Sequence, residues 1–155
     1  MNNPFQKLAT EGRFDEISAN RWRGPNTGAA YAKTILAAQV ISPDDSGATF
    51  FLSAAAGFSS TLPAPAMGLK YSFVVLTAPT SVGYTILTNA SANIISGTHS
   101  VTATGGGSAI AAADTVTLVA NSAVAGDRID VISDGTNWYA QASSTLKASI
   151  TSGAT

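Results

Sequence analysis

The chain has no cysteine. That removes a disulfide framework, a thiolate metal site and a cysteine nucleophile together. Charge is scarce as well. Eight basic and nine acidic residues are spread over 155, or 11%, with a formal net charge of −1. Soluble domains carry about 25% charged residues, so this surface must be built of Ser, Thr, Asn, Gly and Ala. Such a chain lacks the concentrated basic face that nucleic-acid binding needs. No apolar run approaches the ~20 residues of a membrane-spanning helix, and the opening Met-Asn-Asn-Pro-Phe-Gln-Lys has no signal-peptide core. There is one histidine, His99.

What chemistry remains is thin. A hydrolytic triad needs a base, usually histidine. His99 reads as a surface or loop residue, with few partners to orient it. No Gly-x-Ser-x-Gly elbow occurs. Asp44, Asp45, Asp114, Asp127 and Asp134 fall at turn signals, where Asp tightens or caps the backbone. Asp130 alone points out of an apparent strand. The triple glycine at 105–107 lacks the Gly-Lys-Ser/Thr that completes a phosphate loop. The expectation is a protein that is not an enzyme, with no cofactor and no metal.

The charge that exists is unevenly placed. Lys7, Glu11, Arg13, Asp15, Glu16, Arg21, Arg23 and Lys33 lie in residues 1–33, whereas Lys70 is the sole charged residue between Ser46 and Ala113. Residues 1–33 therefore read as an N-terminal arm, 34–143 as a β domain and 144–155 as a Ser/Thr/Ala tail. Phe5, Arg13, Phe14, Arg21, Trp22 and Arg23 of the arm are the candidate partner-binding residues, since Arg and aromatic residues are enriched at binding hot spots.

From Thr34 onward the pattern is β. Strands are expected at Thr49–Ala54, Leu69–Thr77, Tyr84–Thr88 and Thr115–Ala120, with short ones at Asn93–Ser96 and His99–Thr104. Ser60–Pro65 should be extended and cross between sheets, because proline biases the residue before it to extended geometry. The best-specified stretch is Gly126–Ser143. Arg128–Ser133 and Asn137–Ser143 flank Asp134-Gly135, a strong hairpin signal. Alternation places Trp138, Ala140 and Ala142 on one face and Tyr139 on the other. Tyr71, Phe73, Trp138 and Tyr139 are the candidates for core or subunit interface. Trp138 and Tyr139 as a sugar-stacking platform is the weaker reading of those two rings. Short strands at 8–12-residue spacing predict a β-sandwich or jelly-roll-like barrel, with a smaller tulip-like barrel as the alternative. No fixed-period repeat is present, which disfavours solenoids and β-helices.

Gly126-Asp127, a strand and then Ser133-Asp134-Gly135-Thr136-Asn137-Trp138-Tyr139 resembles the closing hairpin of small tailed-phage structural proteins, of the form GDxxxxxSDGTxWY. Asp45-Ser46-Gly47, Thr61-Leu62-Pro63-Ala64-Pro65 before Gly68, and Gly83-Tyr84-Thr85-Ile86 are similar too, so the resemblance spans about residues 42–143 and leaves the arm outside. It implies a head decoration (cement) protein: a trimeric, β-rich, non-enzymatic protein on the outer surface of the capsid, bridging major capsid protein subunits. The same motifs occur in tail-fibre, spike and baseplate modules that bind a host glycan, which is the alternative. A cellular lectin-like sandwich ranks third.

Overall fold

In the computed structural model, residues 31–103 and 105–154 are described. The chain divides into two units after Ala32, and the second unit carries the β fold. The arm residues singled out above (Phe5, Arg13, Phe14, Arg21, Trp22 and Arg23) lie outside the described residues.

The fold is all-β. Among the described residues, twelve strands run β1 (Ala32–Ile35), β2 (Gln39–Val40), β3 (Thr49–Leu52), β4 (Phe58–Thr61), β5 (Lys70–Val75), β6 (Tyr84–Leu87), β7 (Ile95–Val101), β8 (Ser108–Ala113), β9 (Thr115–Leu118), β10 (Arg128–Ser133), β11 (Trp138–Ser144) and β12 (Ile150–Gly153). They form a seven-stranded sheet, β1-β3-β5-β10-β11-β7-β8, and a five-stranded sheet, β12-β9-β6-β4-β2. The helical elements among the described residues are single 3-10 turns.

Alternation decides the inward faces. Successive side chains on a strand point to opposite sides, so a run with every second residue apolar buries one face. Phe50 and Leu52 of β3, Tyr71, Phe73 and Val75 of β5, and Ile129 and Val131 of β10 are buried, as are Trp138, Ala140 and Ala142 of β11. From the smaller sheet come Phe58, Tyr84, Ile86, Val116, Leu118 and Ile150. All belong to one hydrophobic cluster. Its aromatic members pack ring on ring: Phe50 on Phe73 (5.4 Å), Tyr71 on Trp138 (5.8 Å) and Phe58 edge-on to Tyr84 (4.9 Å). The buried Tyr84 hydroxyl donates to the Thr77 carbonyl (2.7 Å) and accepts from the Ala54 N–H (2.8 Å), which meets the requirement that a buried phenol find partners.

The hairpin lies at the centre of the larger sheet. β10 pairs antiparallel with β11 and with β5, and β11 pairs parallel with β7. Its turn is longer than the two-residue form the Asp-Gly signal predicts. The Asp134 carboxylate accepts the Thr136 and Asn137 N–H groups (2.8 and 2.7 Å) and Gly135 takes φ of 99°. These bonds satisfy turn donors that the strands leave free, and they hold the Asp134 pKa below the ordinary carboxylate range.

Pairing direction departs from expectation. β2/β4, β4/β6, β3/β5 and β11/β7 are parallel, whereas the Greek keys of a jelly roll are antiparallel. From β1 to β6 the chain alternates between the sheets, so each crossover that joins two parallel neighbours is itself a strand of the other sheet. Of the Ser60–Pro65 stretch expected to cross between sheets, Ser60 and Thr61 end β4, and the remainder opens the connection to β5 in the other sheet. The winding is coil-like, yet its turns are unequal: Gln39 faces Ser60, Phe50 faces Phe73 and Phe58 faces Tyr84. No fixed sequence period marks it for that reason.

Two further segments differ. In place of separate strands at Asn93–Ser96 and His99–Thr104 there is one strand, β7 (Ile95–Val101), whose partner β8 (Ser-Ala-Ile-Ala-Ala-Ala) is too alanine-rich to signal a strand by propensity. The C-terminal segment supplies β12, which pairs antiparallel with β9 and buries Ile150.

Candidate functional site

His99 is not at the surface. It lies inside β7 with 2% of its area exposed. Its Nε2 is 2.6 Å from the Ser144 hydroxyl oxygen and its Nδ1 is 3.4 Å from the Ser108 hydroxyl oxygen. A serine beside a histidine invites a nucleophilic reading, and the hydrogen-bond directions answer it. The Ser144 hydroxyl donates its single proton to the Leu146 carbonyl (2.7 Å), so it accepts from Nε2–H. A general base works the other way, accepting the serine proton. A neutral ring therefore carries its proton on Nε2. Burial pushes its pKa below the usual histidine value; the Asp127 charge opposes this and Lys147 reinforces it.

Asp127 is buried too. It accepts the Thr145 N–H (2.8 Å) and the Val124 N–H (3.1 Å), tying the turn before β10 to the end of β11. This is the structural role its turn position predicts. Among the described residues, no cluster of three or more His, Asp or Glu is placed to hold a metal ion.

Tyr71, Phe73 and Trp138 all lie in the core of the chain itself, whereas Tyr139 is 47% exposed on the outer face of the larger sheet. The hairpin's two rings therefore do not form one platform. The Trp138 Nε1 is buried with no hydrogen-bond partner among the described residues.

The outer face around Tyr139 holds an open groove of about 620 Å³. Strand register builds its floor. One row runs Lys70, Ile132, Tyr139 across β5, β10 and β11; the next runs Ser72, Asp130, Gln141, Thr98 across β5, β10, β11 and β7. Gly47 and Ala48, just before β3, form part of the wall. The Asp130 Oδ1 accepts from the Ser72 hydroxyl and from the Arg128 guanidinium (2.6 Å each), which also raises the Arg128 pKa. The Tyr139 hydroxyl donates to the Asp134 carboxylate (3.0 Å), pinning the ring and raising the phenol pKa. Of these residues, sequence reasoning singled out Tyr139 and noted Asp130 as the outward acid. Lys70, Ser72, Thr98 and Gln141 were missed. Their one signal was outward parity on strands with buried neighbours, which says nothing of which strands adjoin.

No family model, curated protein or solved structure matches the chain.

Proposed function

We propose that the chain is a virion structural protein that decorates a phage capsid. In this reading it is a homotrimer on the outer capsid surface, bridging major capsid protein subunits without a catalytic step or a cofactor. The two sheets face each other as a sandwich. The observation that carries the reading is the smaller sheet. None of its five strands contains an Asp, Glu, Lys or Arg. Its outer face presents a row of Ser59, Thr85, Thr117 and Thr151 in register, with the Thr85 and Thr117 hydroxyls 3.0 Å apart. Charged residues are depleted at the centre of protein–protein interfaces, and a face meant only for solvent normally carries them. This face is assigned to contact between copies. The resemblance carried by Gly126–Tyr139 supplies the capsid. The arm residues Phe5, Arg13, Phe14, Arg21, Trp22 and Arg23 are assigned to capsid contact. Several weak contacts per trimer then add through multivalency.

The test has three parts. Light scattering of the full chain should give a trimer mass, and Thr117→Lys should lower it. Gold label on intact virions should sit on the head. Protein lacking residues 1–33 should still trimerise but no longer sediment with capsids. A monomeric full chain, label on the tail, or normal capsid binding by the truncated protein would each overturn the corresponding part.

A further inference from the structure

We infer that the groove on the outer face of the seven-stranded sheet is a binding site for a neutral saccharide. The inference concerns a different face from the one assigned to self-association, and it holds wherever the chain sits on a virion.

Four ligand classes can be weighed against the groove. An added peptide strand needs unpaired backbone groups at a sheet edge. The floor here is β5, β10, β11 and β7, each already paired on both sides, so it offers side chains alone. A phosphate or other anion needs clustered cations. Among the described residues, the groove wall carries one cation outside an ion pair, Lys70, and the neighbouring Arg128 is already engaged by Asp130. The Asp130 carboxylate, 38% exposed in the middle of the floor, repels an anion. A lipid chain needs a continuous apolar lining, whereas Ser72, Thr98, Asp130 and Gln141 interrupt this one.

A sugar ring needs what is present. It offers apolar C–H faces ringed by hydroxyls that donate and accept. The Tyr139 ring is half exposed and held at its far end by Asp134, so little is lost in ordering it on binding. One register row away stand a carboxylate and a carboxamide on adjacent strands, Asp130 opposite Gln141. Asp130 is oriented through Oδ1 by Ser72 and Arg128, and that leaves Oδ2 to accept. Gln141 and Thr98 spend no side-chain hydrogen bond on any described residue, so both keep their donors and acceptors for a ligand. The volume of about 620 Å³ falls within the ~300–1,000 Å³ of small-molecule sites.

The experiment uses the full chain on an array of neutral and acidic oligosaccharides, followed by calorimetric titration of the best neutral binder. Tyr139→Ala should weaken that binding at least tenfold, and Asp130→Asn and Gln141→Ala should each weaken it several-fold. Tyr139→Phe keeps the ring and should stay close to the parent. Ser81→Ala, in the exposed connection before β6 and outside both faces, should leave saccharide binding unchanged. Melting temperature and circular dichroism of each variant separate lost binding from lost fold. The inference is overturned if no neutral saccharide binds at millimolar concentration, if acidic saccharides bind best, or if folded Tyr139→Ala binds like the parent. Capsid sedimentation is read separately, so the two proposals fail independently.

Discussion

The His99 ring donates to the Ser144 hydroxyl across 2.6 Å, joining the parallel strands β7 and β11 inside the protein. The pair is a structural bolt with a pH limit. Burial holds the His99 pKa below its ordinary value, so the unfolded chain binds a proton more readily than the folded one. The stability from the neutral ring is fully present above about pH 6.5, the unfolded histidine value. It is lost as pH falls from there toward the folded pKa. Since His99 is the sole histidine, the urea midpoint should drop between about pH 7.5 and about 5.5 in the parent. His99→Gln should flatten that drop. An equal slope in both proteins would refute the assignment.

Asp127 supports the same region. Asp127→Ala leaves the Thr145 and Val124 N–H groups without their acceptor. A hydrogen bond to a charged group contributes roughly 1.5–3 kcal/mol, less where water can replace it at part-exposed donors such as these, so a loss of about 2–4 kcal/mol is expected by urea denaturation. Asp127→Asn keeps one acceptor oxygen and should lose clearly less. Equal losses for the two would mean that charge, not acceptor geometry, is what matters.

Gly97 lets β7 and β11 approach. A Cβ built there would sit 1.8 Å from the Ala140 carbonyl oxygen, and backbone cannot rotate away as a flexible side chain can. Gly97→Ala should therefore cost at least the ~1–3 kcal/mol typical of overpacking. Gly126→Ala is the control for space: its φ of 95° strains alanine, yet beyond its chain neighbours no described atom lies within 4 Å of the added Cβ. Thermal melts of the two separate steric collision from backbone strain, with the larger drop expected at Gly97.

Much of the local structure was legible in the chain. Period-two alternation places Trp138, Ala140 and Ala142 on one face of β11, and they are buried. Backbone sterics impose that period whatever the partner strand. Asp134-Gly135 marked the turn because glycine accepts positive φ and an aspartate side chain caps the N–H groups just beyond it. β8 was invisible because alanine carries little strand preference. β12 was missed because a Ser/Thr run ending in Gly-Ala reads equally well as a tail.

The charge-poor composition and the alternating apolar runs determined that the chain would fold as β-structure around a cysteine-free core. Only the tertiary structure decided which strands adjoin. Pairing links residues far apart in the chain, and its energy lies in contacts that no local window contains. Thus His99, polar and alone in sequence, is buried because β7 lies against β11 and brings Ser144 to it. Ser72, Asp130, Gln141 and Thr98 become one row only because β5, β10, β11 and β7 stand side by side.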